Sequence, residues 1–207
     1  MKPQLLSLLF TLLILGTQHT QAQTFKAGVT AGINWAQIEG DNVGGFTKPG
    51  LYAGVISEIP LAKNWAVAFE ILYSQKGSSS FLTTSGYQFT LHYDYAEIPL
   101  LIKFSDPKGG LTFGAGASAG RLVRYKYTET KVDLSEAYYK DYKPNKWNWE
   151  YLLEGSYQFN DVWSAGIRWS RSFSSFRFDP NSNFNNRQFH HLITLRTAFV
   201  FSTLFKK

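Results

Sequence analysis

Apolar and polar residues alternate with a period of two along most of this chain, which is the signature of strands. The clearest stretch runs from Leu91 to Phe104, LHYDYAEIPLLIKF. From Tyr93 onward, Asp94, Ala96, Ile98, Leu100, Ile102 and Phe104 share one face, and all but Asp94 at its outer end are apolar. Tyr93, Tyr95, Glu97, Pro99, Leu101 and Lys103 share the other, which carries both Glu97 and Lys103. Such a strand suits a soluble sheet, or the wall of a membrane barrel with its apolar face turned outward.

Seven further segments alternate in the same way. Phe25, Ala27, Val29, Ala31, Ile33 and Trp35 mark the apolar face of the first. Leu51, Ala53, Val55 and Ile59 mark the second, against Tyr52, Gly54, Ile56 and Glu58. The third sets Trp65, Val67, Phe69, Ile71 and Tyr73 against Ala66, Ala68, Glu70, Leu72 and Ser74. The Leu91–Phe104 stretch is the fourth. The fifth begins at Leu111, with Phe113, Ala115, Ala117 and Ala119 apolar. In the sixth, Trp147, Trp149, Tyr151, Leu153, Tyr157 and Phe159 oppose Asn148, Glu150, Leu152, Glu154, Ser156 and Gln158. Trp163, Ala165, Ile167 and Trp169 face away from Ser164, Gly166, Arg168 and Ser170 in the seventh. Ile193, Leu195, Phe199 and Phe201 oppose Leu192, Thr194, Arg196 and Ala198 in the eighth.

Two patterns choose the membrane barrel over a lipocalin-like or sandwich fold. The aromatic residues gather at strand ends on the apolar face. Trp65, Phe104, Phe113, Phe159, Trp163 and Phe201 fall at one rim; Trp35, Tyr73, Trp147, Trp149 and Trp169 fall at the other. Trp and Tyr favour the two interfaces of a bilayer, being apolar in body and polar at one end. A soluble core buries its aromatics mid-strand instead. The connections also alternate in length. Leu61 to Lys63, Asp106 to Gly110 and Asn160-Asp161 are short, whereas Ala36 to Pro49, Gly77 to Phe89, Lys126 to Lys146 and Ser174 to Asn186 are long and polar. Short periplasmic turns and long external loops are how outer-membrane barrels are laid out. The expected fold is therefore all-β: an eight-stranded antiparallel transmembrane up-and-down β-barrel. Pro99 removes a ladder donor inside the fourth strand, so a bulge or local gap is expected there.

Composition sharpens this. The chain has 207 residues, room for one all-β domain. Aromatic residues make up 17%, against only 17% charged, which suits a chain in contact with something apolar. The absence of Cys excludes a disulfide framework, a lipidated N-terminal Cys and any Cys-based metal site. A net charge of +6, with no Lys/Arg run, gives no ground for a nucleic-acid partner. At the N-terminus, Lys2, the apolar run Leu5 to Leu15 and Thr20-Gln21-Ala22 have the layout of a signal peptide cleaved after Ala22. The run is short for an uncleaved anchor helix. The domain is thus expected from 23 to 207, in the outer membrane.

Two segments also resemble a known family. Phe69-Glu70-Ile71-Leu72-Tyr73-Ser74-Gln75-Lys76-Gly77 and Tyr95-Ala96-Glu97-Ile98-Pro99-Leu100-Leu101-Ile102-Lys103-Phe104 are similar to motifs of the PorT-like outer-membrane β-barrel family. The resemblance covers essentially the whole mature chain and implies an eight-stranded barrel. The family takes its name from a secretion component, but most relatives share only the barrel. The tail departs from a common barrel ending, since Phe205 is followed by Lys206 and Lys207.

The polar face gathers Glu70, Glu97 and Glu154 with Arg168 and Arg196 near mid-depth. Pairing Phe159 with Trp163 across the short turn sets Glu154 opposite Arg168. An eight-stranded barrel is just wide enough for side chains to fill it, so these charges are expected to form a salt-bridged plug. Paired carboxylates in acid/base work would need substrate access that so narrow a barrel lacks. A Ser/His/Asp set could be drawn from Ser172, Ser174, Ser175, His92, His190, His191, Asp94 and Asp179 near the outer rim, but no spacing singles one out. His190 and His191 are adjacent in a strand and point to opposite faces, which argues against a shared metal. The loop from Lys126 to Lys146 carries Tyr127, Tyr138, Tyr139 and Tyr142 among charges of both signs. It suits a protein partner or lipopolysaccharide phosphates. The expectation is a non-enzymatic barrel needing no cofactor or metal, with a structural or surface-interaction role. A secretion-linked component and a narrow pore stand as alternatives, and an enzyme last. The girdle that would seat it in lipid is Trp35, Trp65, Tyr73, Trp149, Trp163 and Trp169.

Overall fold

A computed structural model describes residues 25–41, 43–80, 88–141, 143–178 and 187–201. The signal segment, Tyr142, Asp179 and the Phe205–Lys207 tail lie outside them.

Among the described residues the elements run β1 (Lys26–Glu39), β2 (Lys48–Ala62), β3 (Trp65–Ser79), β4 (Phe89–Ser105), β5 (Leu111–Glu129), β6 (Val132–Asp133), α1 (Ser135–Tyr138), β7 (Trp147–Gln158), β8 (Trp163–Ser172), β9 (Arg177–Phe178) and β10 (Arg187–Val200). Eight of these strands form the wall in the order β1-β2-β3-β4-β5-β7-β8-β10, each antiparallel to its neighbour. The wall closes where β1 pairs with β10, from Gly28 opposite Val200 to Glu39 opposite Phe189. Closure leaves no free edge, which is the condition for a sheet to stand in hydrocarbon. The short hairpin strand β6 pairs with β5, and β9 pairs with β10 above the wall.

The two faces separate cleanly. Val29, Ile33, Leu51, Val55, Phe69, Ile71, Ile98, Leu100, Ile102, Leu153, Ile167 and Leu195 are exposed on the outer wall, while charged and polar side chains are buried inside. This inverts a soluble protein and fits a wall whose solvent is lipid. Trp35, Trp65, Tyr73, Trp149 and Trp163 are exposed on that wall, and Trp169 is half-buried. At one rim, Trp65, Phe104 and Phe113 lie in one cross-strand row. At the other, Trp169, Ile193 and Trp35 form a row. The tight connections are at the first rim and the long ones at the second.

The strands run well past the ends the hydrophobic pattern marks. β1 continues to Glu39, β3 to Ser79 and β5 to Glu129. Part of what reads as loop in Gly77–Phe89 and Lys126–Lys146 is therefore strand, β6 or α1. A span needs only about 9–11 residues of strand. Beyond it the outward face meets water, so alternation of apolar and polar residues disappears although the ladder goes on.

Pro99 is accommodated by a gap. The β3–β4 ladder runs from Trp65 opposite Phe104 to Phe69 opposite Leu100 and resumes, in the same register, at Leu72 opposite Glu97. Pro99 keeps its place opposite Ser118 on β5. The register of β4 and β5 shifts further up, between Asp94 and Tyr95, where Val123 is the extra residue.

Candidate functional site

The lumen is filled in layers. In the lowest, β8 brings in Arg168, whose Nη1 and Nη2 donate to the two carboxylate oxygens of Glu70 on β3 at 2.7 and 2.9 Å. Its Nε donates to Glu154 Oε2 on β7 at 2.9 Å, a second contact reaches Glu154 from Nη2, and Nη1 also donates to the Tyr52 hydroxyl on β2 at 2.8 Å. Arg196 on β10 bridges the same two carboxylates from Nη1, at 3.0 Å to Glu70 and 2.7 Å to Glu154. Lys103 on β4 adds Glu58 at 2.7 Å and Glu154 at 3.3 Å. Three carboxylates thus face three cations. All but Glu58 are nearly inaccessible to solvent. Balance of charge and full hydrogen bonding are what make such burial tolerable. Glycines on the lumen face leave the room: a side chain at Gly114 would abut Lys103 and Glu154.

Glu97 is not in that layer. It meets Lys76 of β3, which also contacts Glu150 of β7. Asn148 donates to Glu150 at 2.8 Å, and Ser172 donates to Asn148 at 2.8 Å. Of the five expected residues, then, Glu70, Glu154, Arg168 and Arg196 meet one another, while Glu97 lies one layer higher with a different cation. Lys76, Lys103, Glu58, Glu150 and Tyr52 complete the two layers and are missing from the sequence-derived set. Alternation alone puts Glu58, Glu150 and Tyr52 on the inward face and could have added them. Lys76 lies beyond the point where the apolar pattern of its strand ends.

Above the charges an aromatic seal closes the mouth at the long-loop rim. Tyr95 and His190 Nε2 are 3.2 Å apart, and the His190 ring stacks on Phe176 at 3.9 Å. Tyr93 packs edge-on against both Phe176 and His190. Tyr139, just after α1, is 2% exposed and donates its hydroxyl to that of Tyr93 at 2.8 Å. Tyr138 stacks on Tyr127 at 4.1 Å, with Arg177 over its ring at 4.4 Å. Burial pushes the Tyr139 phenol up, so it stays a neutral donor. The strap carrying Tyr139 is pinned at its start, where the Ser135 hydroxyl and backbone N–H both donate to Asp133 and hold its carboxyl down to about 2. The other end of the lumen is open: a vestibule of about 290 Å³ at the short-turn rim has Lys103, Glu154 and Arg196 in its lining.

The residues of a hypothetical hydrolytic set are dispersed. Ser172 faces the lumen and is engaged by Asn148, Glu150 and the backbone of His190. Ser174 accepts from the Trp149 backbone, and Ser175 donates to the Arg177 carbonyl. His92 and Asp94 are 2.8 Å apart, but Asp94 also takes Arg124 at 2.7 Å. None of these serines bonds a histidine ring among the described residues. His190 is inside and His191 outside, against Trp169. No group of three or more His, Asp or Glu among the described residues is placed to hold a metal.

The model of the outer membrane protein beta-barrel domain family matches residues 21–177. No curated protein matches the chain. Among solved structures it is similar to Ail, the attachment invasion locus protein of Yersinia pestis, in complex with the heparin analogue sucrose octasulfate, at 9% identity and a TM-score of 0.47, covering 86% of this chain and 99% of that one. It is similar to Neisserial surface protein A at 10% identity and a TM-score of 0.49, covering 85% and 96%. It is similar also to CarO of Acinetobacter baumannii at 10% identity and a TM-score of 0.43, covering 88% and 99%.

Proposed function

The chain belongs to the outer membrane protein beta-barrel domain family, and from that premise we propose that it is a non-enzymatic integral barrel whose lumen is closed by its own ion layers, with a structural or surface-interaction role. The observation that carries this is the sixfold charge cluster of Glu58, Glu70, Glu154, Lys103, Arg168 and Arg196 spanning the lumen from wall to wall. A conducting pore keeps its lining charges hydrated and apart; here they hold each other, which supports a plug over a narrow channel. Dispersal of the candidate nucleophiles and bases supports a role without catalysis. The aromatic strap over the mouth and the charged loop surface support contact with lipopolysaccharide or a protein partner. Export through cleavage after Ala22, and a place in the PorT-like branch of the family, belong to the same proposal. They rest on the N-terminal pattern and on the two motifs quoted above.

Conductance of the purified barrel in planar bilayers tests it. The expected result is no stepwise current in salt solution. Reproducible single-channel steps from the intact chain would replace the plug with the pore.

A further inference from the structure

Below the ion layer, the vestibule at the short-turn rim is a polar cavity of about 290 Å³ that the plug leaves unfilled. Strand alternation turns Lys26, Glu58, Lys103, Ser156, Gln158 and Arg196 into it, from β1, β2, β4, β7 and β10. Its size is at the lower end of pockets that take small organic molecules, roughly 300–1,000 Å³.

The floor has donors to spare. Arg196 Nε donates to the Thr30 hydroxyl at 3.3 Å, and Nη1 holds Glu70 and Glu154. Nη2 then has no acceptor among the described residues, although the Arg196 side chain is only 4% exposed. Lys103, held by Glu58 and Glu154, keeps a third N–H. Lys26 is half-buried on the lumen face of β1, opposite Glu58 in register, and forms no ion pair among the described residues.

Charge gives the sign of the ligand. The lining carries four cations, Lys26, Lys63, Lys103 and Arg196, against three carboxylates, Glu58, Glu154 and Asp161. Glu70 and Arg168 behind them cancel each other. One positive charge is therefore in excess, inside a space walled by the barrel, where a counter-charge is worth more than in open water. A monoanion balances it. The Gln158 and Asn64 amides, without side-chain partners among the described residues, and the Ser156 hydroxyl supply neutral donors and acceptors along the wall. These suit hydroxyl groups on the same molecule.

We infer that the vestibule binds a small organic monoanion bearing hydroxyls, of the sugar-acid class, its carboxylate held by Arg196 and its hydroxyls by the wall, in the field of Lys26. This rests on the closed-lumen reading, because a through-going pore would have no floor.

The test is isothermal titration calorimetry of the folded barrel in zwitterionic detergent micelles with gluconate, neutral sorbitol and cationic glucosamine as probes. Gluconate is expected to bind saturably, about tenfold tighter than either of the others. Lys26→Gln should weaken it about threefold. Ser156→Phe, which fills the vestibule and is checked for folding by a heat-shift gel, should abolish it. Lys126→Gln, at the opposite rim, should leave it unchanged. Equal affinity for sorbitol or glucosamine would overturn the site, as would undiminished gluconate binding by a folded Ser156→Phe barrel. If that variant does not fold, Lys26→Gln decides, and full affinity there overturns the site. Planar-bilayer current carried by gluconate would sink the closed lumen, whereas a silent barrel that ignores gluconate would sink only the site.

Discussion

Arg168 and Glu154 face each other across β8 and β7, with Arg168 Nε 2.9 Å from Glu154 Oε2 and the rest of the guanidinium held on Glu70. Three cations and three carboxylates share this layer, so removing one charge leaves a surplus among side chains that are nearly all buried. Glu154→Gln or Arg168→Met should each cost about 3–5 kcal/mol of folding stability. Together they leave Glu70 with Arg196 and Glu58 with Lys103, again in balance, and much of the loss should return. Urea unfolding in lipid vesicles reads this. Single variants as stable as the wild type would mean that water solvates the lumen.

The long connections are all at one rim, and that rim is expected outside. Trypsin added to intact cells should cut between β5 and β7, at Lys131 or Lys140, which are exposed. Lys63 and Lys108, in the short turns, should survive until the outer membrane is permeabilised. Cutting at Lys108 in intact cells would show the barrel inserted the other way up.

Tyr139 seals the mouth but does not close the lumen by itself, because two ion layers lie beneath it. Tyr139→Ala should free the strap, costing about 3 kcal/mol by analogy with other buried aromatics, and expose it to protease. Conductance should stay at baseline. Channel opening by this single change would make the strap, and not the ion layers, the barrier.

The β5–β6 hairpin turns through Thr130 and Lys131 at φ 45° and 71°, a left-handed pair that normally selects Asn-Gly. Replacing Thr130 by Asn and Lys131 by Gly should relieve about 1 kcal/mol or more of backbone strain. Slower amide exchange across Thr128 to Asp133 would register the gain. Unchanged or faster exchange would refute the strain.

Asp133 is held below its ordinary value of 3.8, to about 2, by the donors of Ser135. A depressed carboxyl contributes order that is fully present above 3.8 and fades as pH falls toward 2. The Ser135 amide resonance, followed by NMR in micelles, should shift across that window in the wild type and stay flat in Asp133→Asn. Identical titrations in both would break the link.

The sequence by itself determined the wall. In a barrel set in lipid each strand must show one apolar face outward, so the period of two was written in every span, and the short turns gave the order in which neighbouring strands pair. Glu154 opposite Arg168 also followed, because a short turn between Phe159 and Trp163 fixes the register of two adjacent strands. What the sequence left open depends on closure. Arg196 meets Glu70 and Glu154 only because β10 returns to β1 and carries its side chain across the lumen. Lys76 finds Glu97 and Glu150 because ladders persist above the membrane, where polar outward residues erase the pattern that would mark them as strand. Tyr139 enters the mouth through a strap whose irregular backbone has no periodicity to read. Local spacing fixed which residues face inward; only the closed cylinder decided which of them touch, since those contacts cross its diameter.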